Sequence, residues 1–269
     1  VLLVIDAGNT QTLIGLFDGS DLVGNWRIAT NAERTADEHA LVVTQLLELD
    51  GLGFEQTVTG MAISSTVPSL KATLRAMSAR WSHVPVVVLE PGVRTGIAIL
   101  ADDPREVGAD RIANALAVHD LHGGPAIVVD FGTSTNFDVV SAKGEYLGGA
   151  IAPGIEVSMD ALLSRAAALR DVELLEPRGA IGRTTVECMQ SGILYGAAGQ
   201  VDGLCRRIQA ELARSDPAEC TVVATGGLSG LITPISETIQ HHEPWLTLHG
   251  LRLVFERNCD GELGDRDQQ

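Results

Sequence analysis

Val4-Ile5-Asp6-Ala7-Gly8-Asn9-Thr10-Gln11-Thr12 is an apolar run that delivers a carboxylate, then a glycine, then small amide and hydroxyl side chains. Leu13 to Phe17 is apolar again, and Asp18-Gly19 is a turn signal. The pattern predicts strand, tight turn, strand, with backbone N–H groups and hydroxyls at the hairpin tip. A glycine lets backbone approach a ligand closely, and such a tip can cradle phosphate. A carboxylate beside phosphate needs a metal ion or a hydrogen-bonded water between the two. Taken alone, Asp-x-Gly at a hairpin tip is also ordinary turn chemistry.

The middle of the chain repeats the pattern. Ile127-Val128-Val129-Asp130-Phe131-Gly132-Thr133-Ser134-Thr135 is again apolar strand, Asp, any residue, Gly and small polar residues. It runs into a candidate strand over Phe137 to Val140 and a turn at Lys143-Gly144. One copy in each half predicts an internal duplication with two facing hairpins. A third piece, Val222-Val223-Ala224-Thr225-Gly226-Gly227-Leu228, is an apolar strand ending in a Gly-rich turn. Such a turn admits the flat face of a nucleotide or its phosphates, and by default is a plain strand-to-helix connection.

The whole chain has 269 residues, enough for two domains or one large one. A hydrophobic fraction of 45% supports a sizeable core, and with aromatics at 4% the packing rests on Val, Leu, Ile and Ala. A net charge of −16 argues against a nucleic-acid backbone as partner, which is bound by neutralising phosphates with Lys and Arg. Nucleotide binding needs only a few local donors and is compatible with it. Cys188, Cys205, Cys220 and Cys259 form no CxxC pair and read as reduced thiols in a cytoplasmic protein. The seven histidines include His241-His242 but no ligand spacing for structural zinc. No leader pattern and no apolar run of transmembrane length is present, so no membrane partner is expected.

Along the first half the sequence predicts a third strand over Asp21 to Ala29. Thr35-Ala36-Asp37-Glu38 reads as a capping box opening a helix to about Leu49. A strand over Val58 to Ser64, a helix from Pro68 to about Trp81 and a strand over Val84 to Leu89 follow. Gly108-Ala109-Asp110-Arg111 opens another helix, ending near His122-Gly123-Gly124-Pro125. The second half repeats the plan. A strand over Glu145 to Ile151 precedes a helix from Ile155 to about Ala168, and a long helix runs from Thr185 to about Leu212. A strand over Cys220 to Ala224 and a short helix over Leu248 to Glu256 complete it. The expected fold is α/β, with two similar domains over 1–122 and 123–258, a ligand cleft between them and a polar tail over 259–269.

Five motifs in order, Asp6-x-Gly8-Asn9-Thr10, Pro91-Gly92-x-x-x-Gly96, Gly108-Ala109-Asp110-Arg111, Asp130-Phe131-Gly132-Thr133 and Thr225-Gly226-Gly227, resemble type III pantothenate kinase. The resemblance runs from the first residue to about Asn258. It implies the duplicated actin-like, ribonuclease-H-like fold of the sugar-kinase/actin/heat-shock-ATPase superfamily. The implied activity is ATP-dependent phosphorylation of the primary hydroxyl of pantothenate, the first step towards coenzyme A. It further implies a first phosphate loop over Asp6, Ala7, Gly8, Asn9, Thr10, Gln11, Thr12 and Leu13, with Asp6 acting through Mg²⁺ or its waters. By the same resemblance Asp130 holds a monovalent cation, potassium or ammonium, and Thr133 contacts ATP phosphate. Gly226 and Gly227 lie under the adenosine. Gly108, Ala109, Asp110 and Arg111 bind pantothenate, with Arg111 pairing its carboxylate and Asp110 as general base. The resemblance also implies a homodimer whose partner completes the substrate pocket.

These residue types suit the chemistry. A primary alcohol needs a base within hydrogen-bond reach, worth roughly 10² to 10⁴ in rate. The rest of phosphoryl transfer is positioning and charge neutralisation. Arginine meets a carboxylate with a planar, bidentate fork. Plainer readings remain open from the residues themselves. Asp110 at a helix start complements the helix dipole for about 0.3–1 kcal/mol, and Arg111 reads equally as a solvated surface residue. Three positions depart from the family pattern. Ala101 replaces a frequent tyrosine, and Arg183-Thr184-Thr185 replaces Lys-Asn-Thr, with Thr185 taking the place of the substrate-contacting threonine. Asn136 replaces a threonine after the second phosphate loop. Alternatives on the same fold are a kinase of another small carboxylate or sugar, and a nucleotide-binding regulator.

Overall fold

Two five-stranded sheets with one shared topology carry this fold, seen in a computed structural model. It describes residues 1–166, 169–214 and 217–259. The first sheet begins with a meander of β1 (Leu2–Ala7), β2 (Gln11–Asp18) and β3 (Asp21–Ala29), each antiparallel to the last. Then come α1 (Ala36–Leu49), the single turn α2 (Phe54–Thr57), β4 (Gly60–Ser65), α3 (Pro68–Trp81) and β5 (Val86–Val88). The strand order is β3-β2-β1-β4-β5, with β4 parallel to β1 and β5 parallel to β4. Central strands β1 and β4 are buried along nearly their whole length, as continuous apolar runs in parallel pairings are. Edge strand β3 alternates between exposed and half-buried residues, the two-residue period of a strand with one covered face.

After α4 (Ala109–His122) the second sheet repeats this. A meander of β6 (Ala126–Phe131), β7 (Ser134–Val140) and β8 (Tyr146–Pro153) leads into α5 (Ile155–Arg165) and α6 (Thr185–Leu212). Then follow β9 (Thr221–Thr225), α7 (Ser229–Ile232), β10 (His241–His242) and α8 (Leu246–Cys259). The order β10-β9-β6-β7-β8 matches the first sheet strand for strand, with the same parallel and antiparallel pairings. The duplication holds at residue level. Asp6 faces Leu13 on the antiparallel neighbour and Ser64 on the parallel one. Asp130 faces Asn136 and Thr225 in the same manner.

The chain forms two compact units. Among described residues the first comprises 1–97, 102–117 and 247–259, and the second 98–101, 118–166, 169–214 and 217–246. In the first, Leu3, Ile5 and Ile14 of the sheet pack against Val43 and Leu47 of α1 and Leu70 and Leu74 of α3. The capping box forms, with the Glu38 N–H donating to Thr35 Oγ1 and the Thr35 N–H donating to Glu38. Helix α8 belongs with the first unit, although its sequence lies in the second half. Thr247 Oγ1 donates to Asn114 Oδ1 at 2.7 Å, and Leu248 and Leu251 are fully buried. In the second unit, Ile127, Val129 and Phe137 pack against Leu194, Ala198 and Val201 of α6.

Most predicted elements appear within a residue or two. The strand expected over 84–89 narrows to β5. The two-residue strand β10 and the turn α2 were not foreseen. Helix α5 ends at Arg165 with an extended C-cap at Ala166, short of the expected end near Ala168, which itself lies outside the described residues, as does the tail from residue 260 onward.

Candidate active site

Strand β1 ends by placing Asp6 in the interior, 8% exposed, between β2 and β4. Its carboxylate accepts a hydrogen bond from the Ser64 hydroxyl on β4. Burial, and next the charge of Asp110, push the Asp6 carboxyl up to about 7, against the pull of Ser64. Asp110, in the first turn of α4, is also pushed up by burial, which outweighs the Arg111 backbone N–H and guanidinium that favour its charge. The Asp6 carboxyl therefore senses the charge of Asp110 within the first unit. A dipole-capping role alone would favour the charged form of Asp110, whereas burial dominates here. A side chain at position 108 would strike Asp110 Oδ1, so the carboxylate takes its place only beside a glycine. Arg111 is half-buried, unlike a plain surface arginine.

The tip between β1 and β2 is braced from beneath. Gly8 N–H donates to the Gln11 carbonyl at 3.0 Å. Thr30 Oγ1 donates to the Gly8 carbonyl at 2.8 Å, and so accepts from Thr12 Oγ1 at 2.9 Å. The Thr30 N–H reaches the Thr10 carbonyl at 2.9 Å. The Ala7 carbonyl accepts from the Thr66 N–H at 3.1 Å. Asn9, Thr10 and Gln11 stay exposed at the tip, Thr12 is buried and Leu13 is half-buried. Thr30 is a supporting residue the sequence did not reveal, since a threonine just past a strand end carries no local signal.

In the second unit the corresponding tip is Gly132-Thr133, where Gly132 N–H donates to the Ser134 carbonyl and Gly154 N–H to the Thr133 carbonyl. Thr133 is exposed and Asp130 half-buried. Gly226 has φ +91°, and a Cβ there would lie 2.5 Å from Asp130 Oδ1 and 2.6 Å from the Phe131 nitrogen. Only glycine lets the turn after β9 close over Asp130. Gly227 beside it is exposed. Ser229 and His242 support this turn and were not singled out from sequence.

A cavity of about 580 Å³ also lies within the second unit, lined among others by Phe131, Thr135, Leu162, Thr185 and Met189. Thr184 is committed as the N-cap of α6, its hydroxyl accepting from the Glu187 N–H at 3.2 Å, while Thr185 lines the cavity. Asn136 accepts from Ser134 Oγ at 2.9 Å. Among the described residues no cluster of three or more His, Cys, Asp or Glu could hold a metal ion. No helix among them is long and apolar enough to cross a membrane.

Two sheets of one topology, each ending its first strand in an aspartate ahead of a glycine-containing tip, define a protein of the actin-like sugar-kinase fold. A solved structure from Campylobacter jejuni, assigned to the Baf family of transcriptional activators, shares that fold at TM-score 0.60. It is 18% identical and covers 96% of this chain and 99% of its own. Residues 2–207 match the family model for type III pantothenate kinase. The chain is 58% identical over 259 residues to the type III pantothenate kinase of Frankia alni, covering 96% of this chain and 100% of that one. It is 56% identical over 262 residues to that of Streptomyces avermitilis, covering 96% and 98%. The chain belongs to the type III pantothenate kinase family.

Proposed function

We propose that this chain phosphorylates pantothenate through the carboxylate pair Asp6 and Asp110. As a member of its family it is an enzyme, an ATP-dependent pantothenate kinase acting in coenzyme A biosynthesis. The observation that carries the residue assignment is the carboxylate pair of the first unit, buried Asp6 and half-buried Asp110, both held above the ordinary carboxylate range by burial, with the Asp110 charge adding to the rise at Asp6.

Asp110 is the general base. Its carboxylate accepts the proton of the primary hydroxyl as that oxygen attacks phosphorus, and a raised pKa makes it the stronger base once ionised. Arg111 pairs the pantothenate carboxylate through its fork, and Gly108 and Ala109 bring the start of α4 against the substrate. Asp6, raised by desolvation and by the like charge of Asp110, fits a divalent cation, which would favour its ionised form. Mg²⁺ held there directly or through water would neutralise charge on the transferring phosphoryl group. The tip from Ala7 to Leu13 supplies phosphate donors on a frame fixed by Thr30. Thr133 serves ATP phosphate, and Gly226 and Gly227 the adenosine. Asp130 holds the monovalent cation, at the place where the Gly226 turn closes tightly against its Oδ1. The Thr185 cavity supports a substrate contact there.

Exposed Ile151, Ile181 and Val186, at 67%, 89% and 48%, supply apolar surface for a second copy in a homodimer. Free thiols at Cys188, Cys205 and Cys220 support a reducing, cytoplasmic setting.

The test is ATP consumption with Mg²⁺ and pantothenate, in potassium and again in sodium. Pantothenate-dependent turnover that requires potassium is the expected result. Turnover equal in both salts would remove the cation role of Asp130. Turnover with a carboxylate-free acceptor and none with pantothenate would replace the substrate.

A further inference from the structure

We infer that His242 is a positioning residue for ATP, acting through Ser229 on the glycine turn of the second unit. This rests on the assignment of Gly226-Gly227 to adenosine. Ser229 Oγ lies 2.6 Å from the Gly226 carbonyl, which can only accept, so the hydroxyl proton is committed there. The same oxygen lies 2.8 Å from His242 Nε2 and must accept from it. The order is therefore His242 Nε2–H to Ser229 Oγ–H to Gly226 carbonyl, a directed chain of two hydrogen bonds ending on the turn. Ser229 is buried, 1% exposed, so no water competes for its proton.

The effect on ligand follows from peptide planarity. Fixing the Gly226 carbonyl fixes the plane of the Gly226–Gly227 peptide, and in a trans peptide the Gly227 N–H then points the opposite way. Gly227 is exposed, so the chain aims a backbone donor on the open side of the turn. The Ser229 N–H also reaches the Gly226 carbonyl, at a longer 3.3 Å.

His242 is itself held. Strand β10 is pinned on both flanks to β9, with Gln240 N–H on the Val222 carbonyl at 2.9 Å and Glu243 N–H on the Ala224 carbonyl at 2.8 Å. Alternation along the strand sends the two histidines opposite ways. The His241 ring stacks 4.4 Å from the His122 ring, and His122 Nε2 sits 3.2 Å from Glu243 Oε1. The two-residue strand is anchored through His241 and positions through His242.

The experiment compares ATP KM and calorimetric ATP affinity in wild type, His242→Ala, His242→Gln, Ser229→Ala and Gly227→Val, with melting curves as the folding control. A hydrogen bond of this kind is worth a factor of about 2 to 10 in ATP affinity. His242→Ala is expected to weaken ATP by that factor while pantothenate KM moves less than twofold. His242→Gln, whose amide nitrogen takes the place of Nε2, is expected to regain most of it. Combining His242→Ala with Ser229→Ala is expected to add little to either alone. Wild-type ATP affinity in His242→Ala, with Gly227→Val impaired, would overturn the relay and leave the adenosine turn standing. Equal loss in the Ala and Gln variants would also overturn it, because a donor restored at the Nε2 position would then restore nothing. Unchanged ATP affinity in both Gly227→Val and His242→Ala would remove the adenosine assignment and the relay together.

Discussion

The Ser64 hydroxyl donates to Asp6 Oδ1 across the parallel pairing of β1 and β4, where the two residues face each other in register. Burial and Asp110 favour the protonated acid at Asp6, and Ser64 works against both. Ser64→Ala removes the donor to the charged form, so the Asp6 pKa moves further up from about 7. If the ionised form is needed for Mg²⁺, the acid limb of the activity profile shifts to higher pH. The apparent affinity for Mg²⁺ near neutrality should fall by roughly tenfold, the worth of one hydrogen bond to a charged group. A pH profile and a Mg²⁺ titration check both.

The influence between the carboxylates gives a second expectation of opposite sign. Asp110→Asn removes the like charge that helps raise Asp6, so the Asp6 pKa falls, though burial keeps it above an ordinary carboxyl. A carboxyl-carbon NMR titration of the two proteins measures this. An unchanged Asp6 titration would show that the pair does not interact.

Arg111→Lys keeps the charge and loses the fork. Pantothenate KM should rise about 10- to 100-fold, with ATP KM little altered. The wild type should strongly prefer pantothenate over the analogue whose carboxylate is reduced to an alcohol, and the variant should lose most of that preference. Steady-state kinetics with both acceptors decides it.

Asp202 on α6 offers a stability test apart from the chemistry. Burial raises its carboxyl, but the Ser236 hydroxyl at 2.7 Å, the Glu237 N–H at 3.0 Å and the Thr238 hydroxyl and N–H together hold it below the usual carboxylate range. Asp202→Ala leaves buried donors without an acceptor and should cost about 3 kcal/mol. A carboxyl depressed in the folded state binds fewer protons there than when unfolded. Its contribution is complete above the unfolded value of 3.8 and is lost as pH falls below that. The stability gap between wild type and variant in denaturant melts should therefore narrow on acidification below about pH 4.

Much of the fold was legible because its elements are periodic or punctuated. The Thr35–Glu38 capping box, Pro68 at a helix start and the two Asp-x-Gly tips each depend on neighbours in sequence. Elements set by distant partners were not legible. Strand β10 exists because β9 offers an unpaired edge, and nothing in His241-His242 alone indicates a strand. Helix α8 packs in the first unit through Thr247 on Asn114, a contact across 133 residues that no local pattern encodes. The site divides in the same way. Asp6, Asp110, Asp130 and Gly226 stood out through motifs, whereas Ser64, Thr30, Ser229 and His242 act from neighbouring strands and turns. Thr185 was preferred to its neighbour Thr184 on motif position alone, and the structure separates the two, with Thr184 capping α6 and Thr185 lining the cavity.

The most direct test of the central claim is the rate of phosphoryl transfer to pantothenate in Asp110→Asn, with ATP affinity measured on the same preparation. The account predicts kcat lower by roughly 10² to 10⁴, as for loss of a general base, with ATP still bound and the fold intact by melting. Turnover near the wild-type rate would contradict Asp110 as the base and leave its raised carboxyl without a catalytic role.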